Sequence, residues 1–295
     1  MNQNRMIEML DKLVPEEGVI HDIIENVDLF RITSASPRLP QKYDPSIIIL
    51  AQGQKRIFVG DEVFVYDPLN YLVLSVPLPI ECETTASRDK PMLGIRIKVD
   101  AKTVGEILLS LDDAQYNIKS IPRGIYSAPL DSHLTDAAVR LLETVSSSKD
   151  RIFLGPMIVR EIIYRVLRGE KGDALRALAF RNQRFFQISR ILDKIHESYD
   201  AKLDLNSLAL EAGMSISAFH AGFKAVTGVS PLQYIKNVRL HKARMLMIEE
   251  GISAYNASVH VGYESPSQFN REYKRLFGLT PGKDAVNSES RVAQM

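Results

Sequence analysis

A chain of 295 residues, 45% hydrophobic and with a formal net charge of +1, is too long for one ordinary globular domain and suits two, each able to bury a core without metal or disulfide staples. The single cysteine, Cys82, excludes an intramolecular disulfide, and the opening MNQNRMIEMLDK has neither an apolar stretch nor a small-residue cleavage site. No apolar run approaches the roughly 20 residues that cross a bilayer, so membrane roles are set aside and a cytoplasmic setting is expected.

Residues 27–99 read as short strands. Alternation appears at 63–66, 71–76 and 80–84, and in Ile95, Ile97 and Val99 interleaved with Arg96 and Lys98. Gly60-Asp61 is placed as a hairpin turn, while Asp67-Pro68 and Pro77-Leu78-Pro79 end strands or mark an edge. Strands spaced this closely predict a small barrel or sandwich. Its interior would be lined by Val, Ile, Leu, Phe and Tyr, either as a closed core or as a pocket for a small, largely apolar effector. In IECET, Cys82 shares a face with Ile80 and Thr84, so an inward thiol is a candidate sensor of oxidants or electrophiles. Against this, cysteine is a commonly buried residue, and no neighbouring base in the sequence lowers its pKa.

After residue 100 the period becomes helical, at 101–111, 134–145 and 156–167, with Ile158, Ile162, Ile163 and Val166 on one side. These helices would close the first domain or pair two subunits. The charge is uneven: 17 Lys plus Arg against 22 Asp plus Glu in residues 1–159, then 8 against 3 in 160–190 and 12 against 11 in 191–295. An acidic first half and a more basic continuation direct a polyanion to the latter. RGEKGDALRALAFRNQR, basic and weakly patterned, reads as a linker.

Residues 205–281 hold one pattern twice, fifty positions apart. Ser215, Phe219, Phe223, Lys224, Gly228, Ser230 and Pro231 return as Ser265, Phe269, Tyr273, Lys274, Gly278, Thr280 and Pro281. Each copy has a first helix, a turn glycine (Gly213, Gly262), and a serine to cap a second helix, which is the grammar of a helix-turn-helix. Small Ala209 and Ser258 fall where two helices would cross. Phe219, Phe223 and Val226, like Phe269, Tyr273 and Leu276, lie at i, i+4 and i+7, so that stripe faces a core. The opposite stripes are Ser217, His220, Ala221 and Lys224, and Ser267, Asn270, Arg271 and Lys274. Arg suits guanine, Asn suits adenine, Ser donates or accepts, and the lysines meet phosphate. Residues 231–250, with Ser230 as cap, Pro231 at the first position and Gly251 beyond the end, form a connecting helix.

LALEAGMSISAFHAGFKAVTGVSPLQYIKNVRLHKARMLM followed by VGYESPSQFNREYKRLFGLTPG resembles the DNA-binding domain of the AraC/XylS family over about the last hundred residues. Ala257-Ser258 and Pro281-Gly282-Lys283 depart from the usual pattern, the latter bearing on the C-terminal cap. The resemblance implies regulation of transcription at promoters on double-stranded DNA, usually by an activator touching RNA polymerase, with a first domain that senses a signal or forms a homodimer. The expected fold class is α+β: an N-terminal cupin-like β-barrel with trailing helices (1–168), a basic linker (169–184), an all-α double helix-turn-helix domain (185–285) and a tail (286–295). Cupin enzymes hold a metal through several histidines, and none lies between His21 and His133, so neither a cofactor nor enzymatic activity is expected. His133 and His196 read as helix-surface residues.

Overall fold

The computed structural model describes residues 2–59, 62–111, 121–179 and 184–285. They divide into two compact units at Ser189/Arg190. The first holds α1 (Asn2–Leu13), β1 (Gly18–Ile24), β2 (Val27–Ile32), β3 (Ser36–Tyr43), β4 (Ser46–Gln52), β5 (Gln54–Val59), β6 (Glu62–Tyr66), β7 (Asn70–Leu74), β8 (Leu78–Thr85), β9 (Met92–Lys98), α2 (Ala101–Ser110), β10 (Ile125–Pro129), α3 (Ser132–Thr144), α4 (Ser148–Arg168) and α5 (Asp173–Ala179). The helix α6 (Arg184–Glu197) crosses the division. Beyond it lie α7 (Leu205–Glu211), α8 (Ile216–Thr227), α9 (Pro231–Glu249), α10 (Ala254–His260) and α11 (Pro266–Phe277).

The strands form two antiparallel sheets, ordered β1-β2-β9-β4-β7-β10 and β3-β8-β5-β6, the cupin-like arrangement expected. The period of two assigns each side of the larger sheet. Val27, Leu29, Ile47, Ile49, Val73, Leu93, Ile95 and Ile97 join one core with buried residues of α1 to α5. The alternate residues Phe30, Ile48, Met92 and Arg96 line a cavity together with Tyr43, Lys55 and Tyr66 of the smaller sheet. Covering on both sides explains why Ser46 to Ala51 are all buried.

β1, β10 and α1 lie outside the stretches expected to be strand or helix. Pro37 and Pro40 sit in β3, which is tolerable because β3 is an edge strand paired only with β8. β5 and β6 pair with Val59 opposite Glu62, while the turn expected at Gly60-Asp61 lies outside the described residues. α4 starts eight residues ahead of Pro156, capped by the Ser147 hydroxyl, which accepts from the Asp150 amide.

The stretch 169–184 differs from a linker. Within it α5 buries Ala174, Leu175 and Leu178 in the first core, and the buried Arg176 guanidinium donates to the Leu167 carbonyl at 3.2 Å. Its alanines and leucines had a core to pack against that lies distant in sequence. Residues 180–183 and the tail 286–295 lie outside the described residues. No helix among the described residues is long and apolar enough to cross a membrane, and no group of three or more His, Cys, Asp or Glu among them is placed to hold a metal.

Candidate nucleic-acid interface

Local chemistry sets each helix of the second unit. Asp204, Ser215, Ser230, Ser253 and Ser265 are N-caps whose side chains accept from the amide three residues on, filling donors that a helix start leaves open. Gly228 and Gly278 end α8 and α11 in left-handed conformation, at φ 83° and 77°. The turns between α7 and α8, and between α10 and α11, use Gly213 and Gly262 at φ 66° and 79°. Gly262 answers to a second constraint, since a Cβ there would stand 2.3 Å from the Asp200 carbonyl oxygen.

Aromatic stacks fix the inner faces of the second helices. Phe219 lies edge-on to Phe223 at 5.5 Å, and Phe223 to Tyr234 of α9 at 5.2 Å. In the second copy Tyr263, Phe269, Tyr273 and Phe277 form a continuous run with centroid spacings of 5.3, 5.5 and 4.5 Å. Ala209 and Ser258 are buried as their small size suggested. With the inner stripes held, the outer ones face solvent: Ser217, Ala221 and Lys224 on α8 and Ser267, Asn270, Arg271 and Lys274 on α11 are exposed, and His220 is half-buried.

α9 carries the two copies as one body. Lys236 donates to Glu272 of α11 at 2.6 Å, and Glu272 also accepts from the Tyr263 hydroxyl at 2.8 Å. Burial pushes the Glu272 carboxyl up, but these donors and Gln268 outweigh it and hold the group below its ordinary range. After α11, Asp284 is buried, accepting from Arg244 Nε at 2.7 Å and from the Tyr273 hydroxyl at 2.8 Å. That anchor follows directly on the Pro281-Gly282-Lys283 departure.

Arg239 is the residue the sequence did not single out. Its guanidinium donates to the carbonyls of Tyr199 at 2.7 Å, Ala201 at 2.8 Å and Gly262 at 3.1 Å. It thus joins the loop entering the first helix-turn-helix to the turn of the second. His196, expected as a surface residue, instead lies half-buried with Nε2 2.9 Å from the Tyr234 hydroxyl; His133 is exposed on α3.

The family described as the N-terminus of AraC-type transcriptional regulators matches residues 23–174, and a helix-turn-helix domain family matches residues 208–285. The chain belongs to the AraC/XylS family. Among similar proteins are the thermoregulatory protein LcrF of Yersinia pestis, 31% identical over 56% of this chain and 60% of its own length, and the virulence regulon transcriptional activator VirF of Yersinia enterocolitica, 31% identical over 38% and 39%. The chain therefore spans 60% and 39% of the lengths of these relatives, less than two thirds of either. A structure of ToxT from Vibrio cholerae shares the fold, with a TM-score of 0.55 at 12% identity over 88% of this chain and 97% of that one.

In this family member the first unit holds a second candidate site, the cavity between the sheets, of about 110 Å³. An apolar interior was expected, yet two cations line it. Lys55 is 3% exposed, and its ammonium donates to Gln41 Oε1 and the Tyr43 hydroxyl, each at 2.6 Å. Arg96 donates to the fully buried Asp28, with Nε at 2.8 Å. Burial pushes the Asp28 carboxyl up, but the Asp22 amide, Arg96 and Lys98 together bring it below its ordinary value.

Cys82 does face inward with Ile80 and Thr84, at 3% exposure. Burial pushes its thiol up to about 11, with Lys55 and Tyr43 only partly opposing. A buried thiol that stays protonated at neutral pH lacks both the access and the thiolate that oxidants and electrophiles need. The structure thus weighs against the sensor role considered for Cys82.

Proposed function

We propose that the chain is a sequence-specific DNA-binding transcription regulator, an activator, whose first unit senses a small molecule. The observation that carries the reading is the pair of outward stripes, Ser217, His220, Ala221 and Lys224 on α8 and Ser267, Asn270, Arg271 and Lys274 on α11, held by equivalent caps and aromatic stacks. Among the described residues nothing engages the charged ends of Lys224, Arg271 or Lys274. Arg271 and Asn270 suit base edges in the major groove, and the lysines suit phosphates.

α9 has 19 residues and spans roughly 28 Å at 1.5 Å per residue. Successive major grooves on one face recur every ~34 Å. The two helices therefore ask the duplex to bend, at a cost on the order of 1–6 kcal/mol. Activation, with RNA polymerase as partner in the cytoplasm, rests on membership of the family and on relatives named as activators. Homodimerisation is supported by the outer side of α4, where Ile152, Phe153 and Met157 are exposed; a monomer at all concentrations in sedimentation would end that part of the reading.

Footprinting on selected genomic sites tests the core of the proposal, with the intact protein and with residues 185–295. A shared protected stretch of roughly two turns is expected, with bending visible in a circular permutation assay. Protection without sequence preference in either form would sink it.

A further inference from the structure

The charges inside the first unit do not balance. Arg96 is matched by Asp28, which also has Lys98 at 3.4 Å. Lys55 has no such match: its two hydrogen-bond partners, Gln41 and Tyr43, are neutral, and among the described residues no carboxylate pairs with it. The residues lining the cavity include no acid, and the other charged one is Arg96, a like charge.

An ammonium ion shut away from water is costly unless a negative group stands beside it. β5 nevertheless places Lys55 on the same side as Ile57 and Val59, where an apolar residue would stabilise the core. The remainder of the lining is apolar or aromatic, with Phe30, Ile32, Ile48 and Met92 facing the two tyrosines. A space walled by hydrocarbon, with a cation fixed at one side by two hydrogen bonds, suits an amphipathic anion.

We propose that this cavity binds a small carboxylic acid of about six heavy atoms, its carboxylate against the Lys55 ammonium and its apolar part on Phe30, Ile48 and Met92. The size follows from the volume: about 110 Å³ lies below the roughly 150 Å³ of a cavity that holds the six carbons of benzene, and is too little for a long acyl chain. The inference rests on the reading of the first unit as a sensor and names the chemistry it senses. The carboxylate supplies the missing counter-charge, so ligand and fold stabilise one another.

The test uses the full chain in calorimetric melting, at constant ionic strength, with propanoate, butanoate and 2-methylpropanoate set against propanamide, butanamide and 2-methylpropanamide, and with hexadecanoate as the long-chain control. The acids are expected to give a saturable rise in melting temperature that the isosteric amides do not. Lys55→Met should melt at or above the unliganded wild type, since it removes a buried unmatched charge, and should lose the response to acids. Overturning results are amides equal to acids, a saturable acid response retained in Lys55→Met, a response confined to hexadecanoate, or no saturable shift with any acid. If Lys55→Met does not fold, the acid-against-amide comparison on the wild type decides alone, and a positive result there is repeated with Lys55→Gln. Footprinting separates this idea from the regulator reading: acid binding with unaltered DNA protection supports the cavity and removes its sensing role, whereas sequence-specific protection with no acid binding removes the cavity ligand alone.

Discussion

α8 and α11 stand on one scaffold and present different chemistry. Each has a serine cap, two aromatic residues four apart on the inner side, a lysine in the last turn and a left-handed glycine at the end. On the outer side, α8 offers His220 and Ala221 where α11 offers Asn270 and Arg271. Positions that hold the fold have been kept between the copies, as has the leading serine of each outer stripe, Ser217 and Ser267, whereas the next two outward positions have not. A frame repeated with unlike outer faces suits two unequal half-sites, the second richer in hydrogen-bond capacity.

The largest perturbation tests whether the frames are equal. Phe219→Ala and Phe269→Ala should each cost the second unit about 3–5 kcal/mol, as fully buried aromatic residues do, in urea unfolding followed by circular dichroism. If one is tolerated and the other is not, the frames differ in weight despite their common pattern. Arg239→Met comes next. It keeps the aliphatic stem but abandons three carbonyls, with a loss of about 1–3 kcal/mol expected. Affinity should also become less sensitive to one inserted base pair between half-sites; unchanged spacing dependence would show that α9 alone fixes the distance.

Arg271→Ala should weaken binding by about 1–3 kcal/mol and relax preference at one base pair, whereas Ala221→Ser, at the matching position of α8, should leave the preferred sequence intact. Equal losses in a randomised-site selection would contradict the asymmetry. Smallest in effect, Lys224→Ala and Lys274→Ala should weaken all sequences alike and each reduce the salt slope by about one, measured by fluorescence anisotropy across salt concentrations. Here the two copies should behave identically.

The second unit was legible in the sequence because caps, turn glycines and aromatic spacing are local, and the duplication repeats them. Arg239 was not, because its partners are backbone carbonyls, which leave no trace in residue identity, and a basic residue on a helix reads as solvated. In the first unit, the prolines of β3 interrupt the alternation that marked other strands of 27–99, and its edge position permits them. α5 read as linker because alanine suits exposed and buried helices alike. Lys55 was missed although a sign was present: in QKRIFV it alternates in step with Ile57 and Val59, so period two placed it inward against the expectation set by its charge.

The chain order of α8 and α11 has one more consequence. Two unlike helices, in fixed sequence along a single polypeptide, give a bound site a front and a back. A regulator built this way faces one direction on the duplex, so that its surfaces are turned either toward a gene or away from it. Reversing such a site in a promoter, without altering a base pair within it, is then a change of meaning.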